Sequence, residues 1–189
     1  MGVDPYRLER FVAAQQRGGT YVRAVAELRA GAKVSHWMWF VFPQVAGLGL
    51  SAMAREFAIS SVAEASAYLA HPVLGPRLRE CARIVADTEG RSAERIFGPV
   101  DAMKLRSSMT LFAAAGDPRT DHADPVGRDV FRAVPAKYFD GEPDEATLAR
   151  LLRRPRGKAA EAAPGQPALP GRRIVGRAAS AQARFRPPR

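Results

Sequence analysis

Two segments of the chain hold side chains whose types and spacing could do chemistry. The first is Asp101-Ala102-Met103-Lys104-Leu105-Arg106-Ser107-Ser108-Met109-Thr110-Leu111-Phe112. Serines three and four residues beyond a lysine share one face of a helix with it. With Lys104 at zero and about 100° per residue, Leu105, Met109 and Phe112 cluster near about 80–140°, and Val100 and Leu111 near about 320–340°. Lys104 and Ser108 therefore fall between two apolar groups, while Arg106 and Thr110 point away. Burial disfavours an ammonium, and a neutral amine is a base that can activate a serine nucleophile. Short of that, a pocket lysine binds an anionic or carbonyl group. The structural alternative is a lysine that snorkels past the apolar arc beside serines bonded to carbonyls one turn earlier.

The second segment is Ser35-His36-Trp37-Met38-Trp39-Phe40-Val41-Phe42-Pro43-Gln44, which gathers four of the chain's 15 aromatic residues within six positions. As a pocket wall, Trp37 or Trp39 would stack on a flat ligand, with His36 and Gln44 orienting it. As a core plug, the aromatics would simply be buried, each indole N–H finding a partner. Gly47-Leu48-Gly49 follows, but the chain has no Gly-x-Gly-x-x-Gly and no Walker lysine, so a phosphate loop is not indicated. The candidate ligand-binding residues are thus His36, Trp37, Trp39, Gln44, Lys104, Ser107 and Ser108, with no catalytic residue assigned.

Other features are excluded or bland. The three histidines, His36, His71 and His122, have no metal-ligand spacing, and no cofactor motif is present. Asp117, Asp121, Asp124 and Asp129 lack the EF-hand order and its terminal glutamate, so a solvated loop is expected. Cys81, the single cysteine, sits on an apolar stripe and reads as a small core residue. The longest apolar run, Trp37 to Phe42, is far short of the roughly 20 residues a membrane span needs. No secretory signal is visible, and Tyr6 stands where a myristoylation motif wants Ser or Thr, so a cytoplasmic protein is expected.

Helices must position the two segments. Asp4-Pro5 predicts a helix start, with Leu8, Phe11, Val12 and Gln15 at helical spacing before Gly18-Gly19. Tyr21, Val22, Val25 and Leu28 mark a second helix closed by Gly31. Ser61-Val62-Ala63-Glu64 fits a capping box for a helix running to Ala70. Leu74, Leu78, Cys81, Ala82 and Val85 trace another, and Ser92 opens a short one ending at Phe97. Asp101, Asp124 and Asp144 each read as the cap of a further helix, and Pro135 should end or kink the one begun at Asp124. No sustained alternation is found, which predicts an all-α, compact multi-helical single domain of six to eight short helices. Within Ser35 to Val45 the apolar residues run continuously from Trp37 to Phe42, so periodicity leaves strand and buried helix both open.

That domain spans residues 1–152. Residues 153–189 carry ten Lys and Arg against Glu161 alone, so nine of the ten net positive charges lie there. With six prolines, four glycines and few large apolar residues, the segment reads as a disordered basic tail. The charge of the whole chain is therefore no signature of the folded part.

The residues Ser35 to Gln44, Gly47-Leu48-Gly49, Tyr68-Leu69-Ala70-His71-Pro72-Val73-Leu74-Gly75-Pro76-Arg77-Leu78 and Lys104 to Phe112 resemble the bacterial DUF1810 family, a domain of unknown function. The resemblance covers about Asp4 to Leu152 and leaves out the tail. It implies a compact all-α domain and carries no established activity or assigned catalytic residues. Members are sometimes labelled calpastatin, a label that does not suit a compact core, since that inhibitor is a long disordered chain.

Three functions compete. A small anionic or aromatic ligand would lie in a pocket between the His36–Gln44 segment and the Lys104 helix. A protein-interaction module would instead show an exposed apolar patch. Nucleic-acid association through the tail would weaken steeply with salt.

Overall fold

The computed structural model describes residues 4–116 and 125–152. The basic tail, the acidic run from Asp117 to Asp124 with His122, and the proposed Asp124 cap lie outside the described residues. The elements are α1 (Glu9–Gln16), a 3-10 turn (Arg17–Gly19), α2 (Thr20–Arg29), α3 (Met38–Val41), α4 (Ala52–Glu56), α5 (Val62–Ala70), α6 (Leu74–Asp87), α7 (Ala93–Phe97), α8 (Pro99–Ala115), α9 (Pro125–Tyr138) and α10 (Glu145–Leu152). The all-helical fold expected from the periodicity is thus the fold observed. Among the described residues the only β contact is a single parallel bridge between Val45 and Ile59.

Among the described residues, two of the ten α-helices lie beyond the eight expected from the sequence. α3 is four residues long and settles the Ser35–Val45 ambiguity in favour of helix; with Met38, Phe40 and Val41 buried it shows no periodicity. α4 buries none of its residues, so it leaves no apolar stripe.

The local signals explain most other boundaries, with instructive departures. Ser61 and Ser92 accept the backbone N–H of Glu64 and Arg95, as N-caps do. The capping box is only half formed, because the Glu64 carboxylate takes Ser60 N at 2.7 Å instead of Ser61 N. Asp4 does accept Glu9 N at 3.1 Å, but Pro5 lies in a turn and α1 starts at Glu9. α2 ends in a Schellman motif: Gly31 has φ +64°, Gly31 N donates to Leu28 O and Ala32 N to Glu27 O. Pro135 does not end α9, which continues to Tyr138. Proline in the last turn removes just one helical hydrogen bond, and Tyr138 is held from outside by its hydroxyl, which donates toward Val85 O at 2.8 Å.

α8 and α6 form the centre. α8 packs against α5, α7, α9 and α10, and α6 against α2, α3, α5 and α9, while α1 lies on α2 and α3. Trp37, Tyr68, Phe11, Phe42, Phe112, Leu28 and Leu105 are fully buried between them. Burying each such side chain contributes roughly 1.5–3 kcal/mol. The α5–α6 approach is close: a Cβ on Gly75 would sit 2.1 Å from Leu69 O, so only glycine fits. α8 changes character along its length. Its first two turns expose Val100 and Met103, while from Ser107 to Phe112 every residue is buried.

Candidate functional site

The α2–α3 connection is organised by one carboxylate. Glu27 accepts Val34 N at 2.8 Å, Ser35 N at 3.0 Å, the Ser35 hydroxyl at 2.5 Å and the Trp37 indole N–H at 2.8 Å. Burial acts to raise its carboxyl, but these four donors outweigh it and hold the pKa at about 2. Lys33 N donates to Ile96 O at 2.7 Å, which lays the connection against α7.

So placed, Lys33 reaches α8. Its Nζ lies 2.7 Å from Asp101 Oδ2, and Lys104 Nζ lies 2.6 Å from Asp101 Oδ1. Two ammonium groups therefore share one carboxylate. Each also sits over an indole, Lys33 at 5.2 Å from the Trp37 ring centroid and Lys104 at 4.8 Å from that of Trp39. The Lys33 side chain is 7% exposed, Asp101 17% and Lys104 22%. Burial acts to raise the Asp101 carboxyl, yet hydrogen bonds and charge from Lys104 and Lys33 hold it below its ordinary range.

Asp101 does not cap α8. Gly98 stands at the cap and Pro99 at the first helical position, which leaves the Asp101 side chain, one turn in, for the lysines. The cluster has two positive charges and one negative. Each ammonium has three N–H donors, and among the described residues one from each is spent on Asp101.

The seven residues expected to line a site are partly brought together. Trp37 and Trp39 flank the shared carboxylate with Lys104. Trp37 is fully buried, its N–H spent on Glu27 and its ring against Phe97 and Phe42, so it is a core residue with one side on the cluster. Trp39 is half-buried. His36 is exposed on the same connection. Gln44 is half-buried and its backbone carbonyl accepts Ile59 N at 2.9 Å, beside the lone β-bridge.

The serines diverge. Ser107 Oγ lies 2.7 Å from Thr147 Oγ1, and Thr147 donates its proton to Asp144 at 2.6 Å, so Ser107 is the donor in that pair. Asp144 also accepts Thr147 N at 2.8 Å, as the cap of α10. Ser107 thus fastens α10 to α8 and is turned from Lys104. Ser108 is fully buried, and its Oγ has no hydrogen-bond partner. It lies one turn below Lys104 on the same side of α8. Lys104 and Ser108 form no hydrogen bond, so no base–nucleophile pair is assembled.

Sequence reasoning missed Lys33 and Glu27. A signal for Lys33 exists in composition: the chain has 25 arginines and four lysines, and two of those four meet at Asp101. Elsewhere, open grooves are lined by Arg29, Gly31, Asp87, Glu89 and Arg91 (about 470 Å³), by Arg7, Arg10, Arg55, Glu56 and Glu64 (about 270 Å³) and by Ala13, Ala14, Arg17, Phe40 and Met53 (about 350 Å³). Among the described residues no group of three or more His, Cys, Asp and Glu could hold a metal ion. None of the helices there is long and apolar enough to cross a membrane.

These features define an all-helical domain with a dilysine–carboxylate cluster set against two tryptophans. The chain belongs to the DUF1810 family, described as a protein of unknown function, whose model matches residues 5–151. It is similar to the crystal structure of the conserved hypothetical protein Rv1873 from Mycobacterium tuberculosis. The two are 52% identical over 78% of this chain and 98% of that one, with a TM-score of 0.71. No curated protein matches.

Proposed function

We propose that the protein binds a small anionic ligand at the Lys33–Asp101–Lys104 cluster. The observation that carries this reading is the shared carboxylate: Asp101 balances one of two ammonium groups and leaves one positive charge beside two indoles. Four of the six N–H donors remain for a ligand or water. Trp39 offers a half-buried ring to a flat ligand, with His36 on the adjoining segment. Ser108 supports the reading, since a buried hydroxyl without a partner costs about 1–3 kcal/mol and stands one turn from Lys104. The alternative, polyanion association through residues 153–189, rests on charge placement alone.

The chain's two tryptophans both lie in the cluster, so intrinsic fluorescence reads the site directly. Titration with inorganic phosphate should perturb their emission in a saturable way. Lys33→Met and Lys104→Met should each weaken binding about tenfold, equivalent to about 1.4 kcal/mol. Asp101→Asn, which removes the competing anion, should strengthen it. Absence of a saturable response, or an affinity unchanged from the parent in both lysine variants, would end the proposal.

A further inference from the structure

Each of the three charged residues of the cluster has an exposed apolar neighbour in the chain. Val34 follows Lys33 and is 77% exposed, Val100 precedes Asp101 and is 59% exposed, and Met103 precedes Lys104 and is 65% exposed. They are three of the eight large apolar side chains exposed among the described residues, and they come from two separate stretches that meet at Asp101. Val100 and Met103 stand three apart on α8, hence on one face, and Val100 is one turn from Lys104. Single exposed apolar residues need no explanation. Three set round one charge cluster, two of them on a helix in which every residue from Ser107 to Phe112 is buried, form a local arrangement of another kind.

We infer that the ligand of this site is an amphipathic anion: a phosphate or carboxylate head carried on an apolar body. The head meets the unspent ammonium N–H donors of Lys33 and Lys104, and the body lies over Val100 and Met103, with Val34 beside them. This inference rests on the anion reading above and adds the chemical class of the ligand to it. Charge selects the sign of the head, since two ammonium groups meet the single carboxylate of Asp101, and the nearby Glu27 carboxylate is spent on four uncharged donors and makes no ion pair with either lysine among the described residues. The flanking side chains offer nothing to a second polar group, which disfavours sugars and other polyhydroxylated bodies. An inorganic ion leaves that apolar surface in water, whereas an alkyl body covers it.

The test compares inorganic phosphate, hexyl phosphate and hexanol on the full chain by tryptophan fluorescence. Each buried methylene contributes about 0.8 kcal/mol. Covering only about two of the six already gives roughly tenfold, so hexyl phosphate should bind at least about tenfold more tightly than phosphate. Hexanol, lacking the charge, should bind more weakly than hexyl phosphate. Val100→Ser and Met103→Ser, both at exposed positions, should erase that tenfold gain and leave phosphate affinity unchanged. Equal affinity for phosphate and hexyl phosphate would overturn the inference while the anion site stands. So would a gain that survives both serine substitutions, or hexanol binding as tightly as hexyl phosphate. If neither phosphate compound binds, both proposals fall.

Discussion

Arg10 and Glu64, on α1 and α5, make an ion pair with side chains 13% and 4% exposed. All five N–H donors of that guanidinium are spent: on the carbonyls of Tyr6, Arg7, Glu56 and Ala58 and on Glu64 Oε1. Glu64 takes Ser60 N and the Ser60 hydroxyl with its other oxygen. The Lys33–Asp101–Lys104 cluster is built on the opposite plan. One carboxylate faces two cations, and among the described residues most of the donors are left over. The first arrangement is closed, balanced and a matter of folding. The second has charge and donors in excess, and that excess, more than burial or charge alone, separates a binding candidate from a structural pair.

The largest effect that would test this contrast is at the closed pair. Glu64→Gln leaves the Arg10 guanidinium buried without a counter-charge and should cost about 3–5 kcal/mol, measured by equilibrium urea unfolding, with no change in phosphate affinity. A cost below about 1 kcal/mol would show that the pair is not the closed structural element described. Next come the adjacent serines, whose signs should differ. Ser107→Ala loses the bond to Thr147 and should destabilise by about 1 kcal/mol, whereas Ser108→Ala removes an unpartnered hydroxyl and should stabilise by about 1 kcal/mol. Destabilisation at Ser108 would reveal a partner for its hydroxyl in solution.

The last test is in pH. The Glu27 carboxyl is depressed from its ordinary 4.5 to about 2. Its contribution is therefore complete above the unfolded value and is lost as pH falls through the window toward the folded one. Between about pH 4.5 and about pH 2 the unfolding midpoint should drop less steeply in Glu27→Gln than in the parent. Parallel profiles would sink the assignment of Glu27 as the organiser of the Lys33–Trp37 connection.

Legibility in the sequence followed the range of the interaction. Ser61, Ser92 and Gly31 act on neighbours within five residues, and their roles were readable from local order alone. Asp101 was misread as a cap because its partner Lys33 lies 68 positions away, and nothing in either segment encodes that meeting. Lys104, Trp37 and Trp39 stood out by type and spacing, and the fold brings Lys104 to Asp101 with the two indoles beside the paired lysines. Ser107 and Ser108 looked equivalent beside Lys104. Only the position of α10 separates them, since Thr147 claims Ser107. α4 has a capping serine, Ser51, which accepts Ala54 N at 3.1 Å, but with no buried residue it shows no apolar stripe for that cap to open.

The contact between Arg150 and Gly47 has a consequence for how the molecule is made. Arg150 Nη2 donates to Gly47 O at 2.6 Å across 103 positions of sequence. On a ribosome adding about 5–20 residues per second, the stretch around Gly47 waits roughly 5–20 s before that anchor is synthesised. During that interval the nascent α1–α4 region holds its aromatic side chains without α10 to pin its loop. A stall in translation before codon 150 should accordingly leave that loop open to protease, and release of the stall should close it.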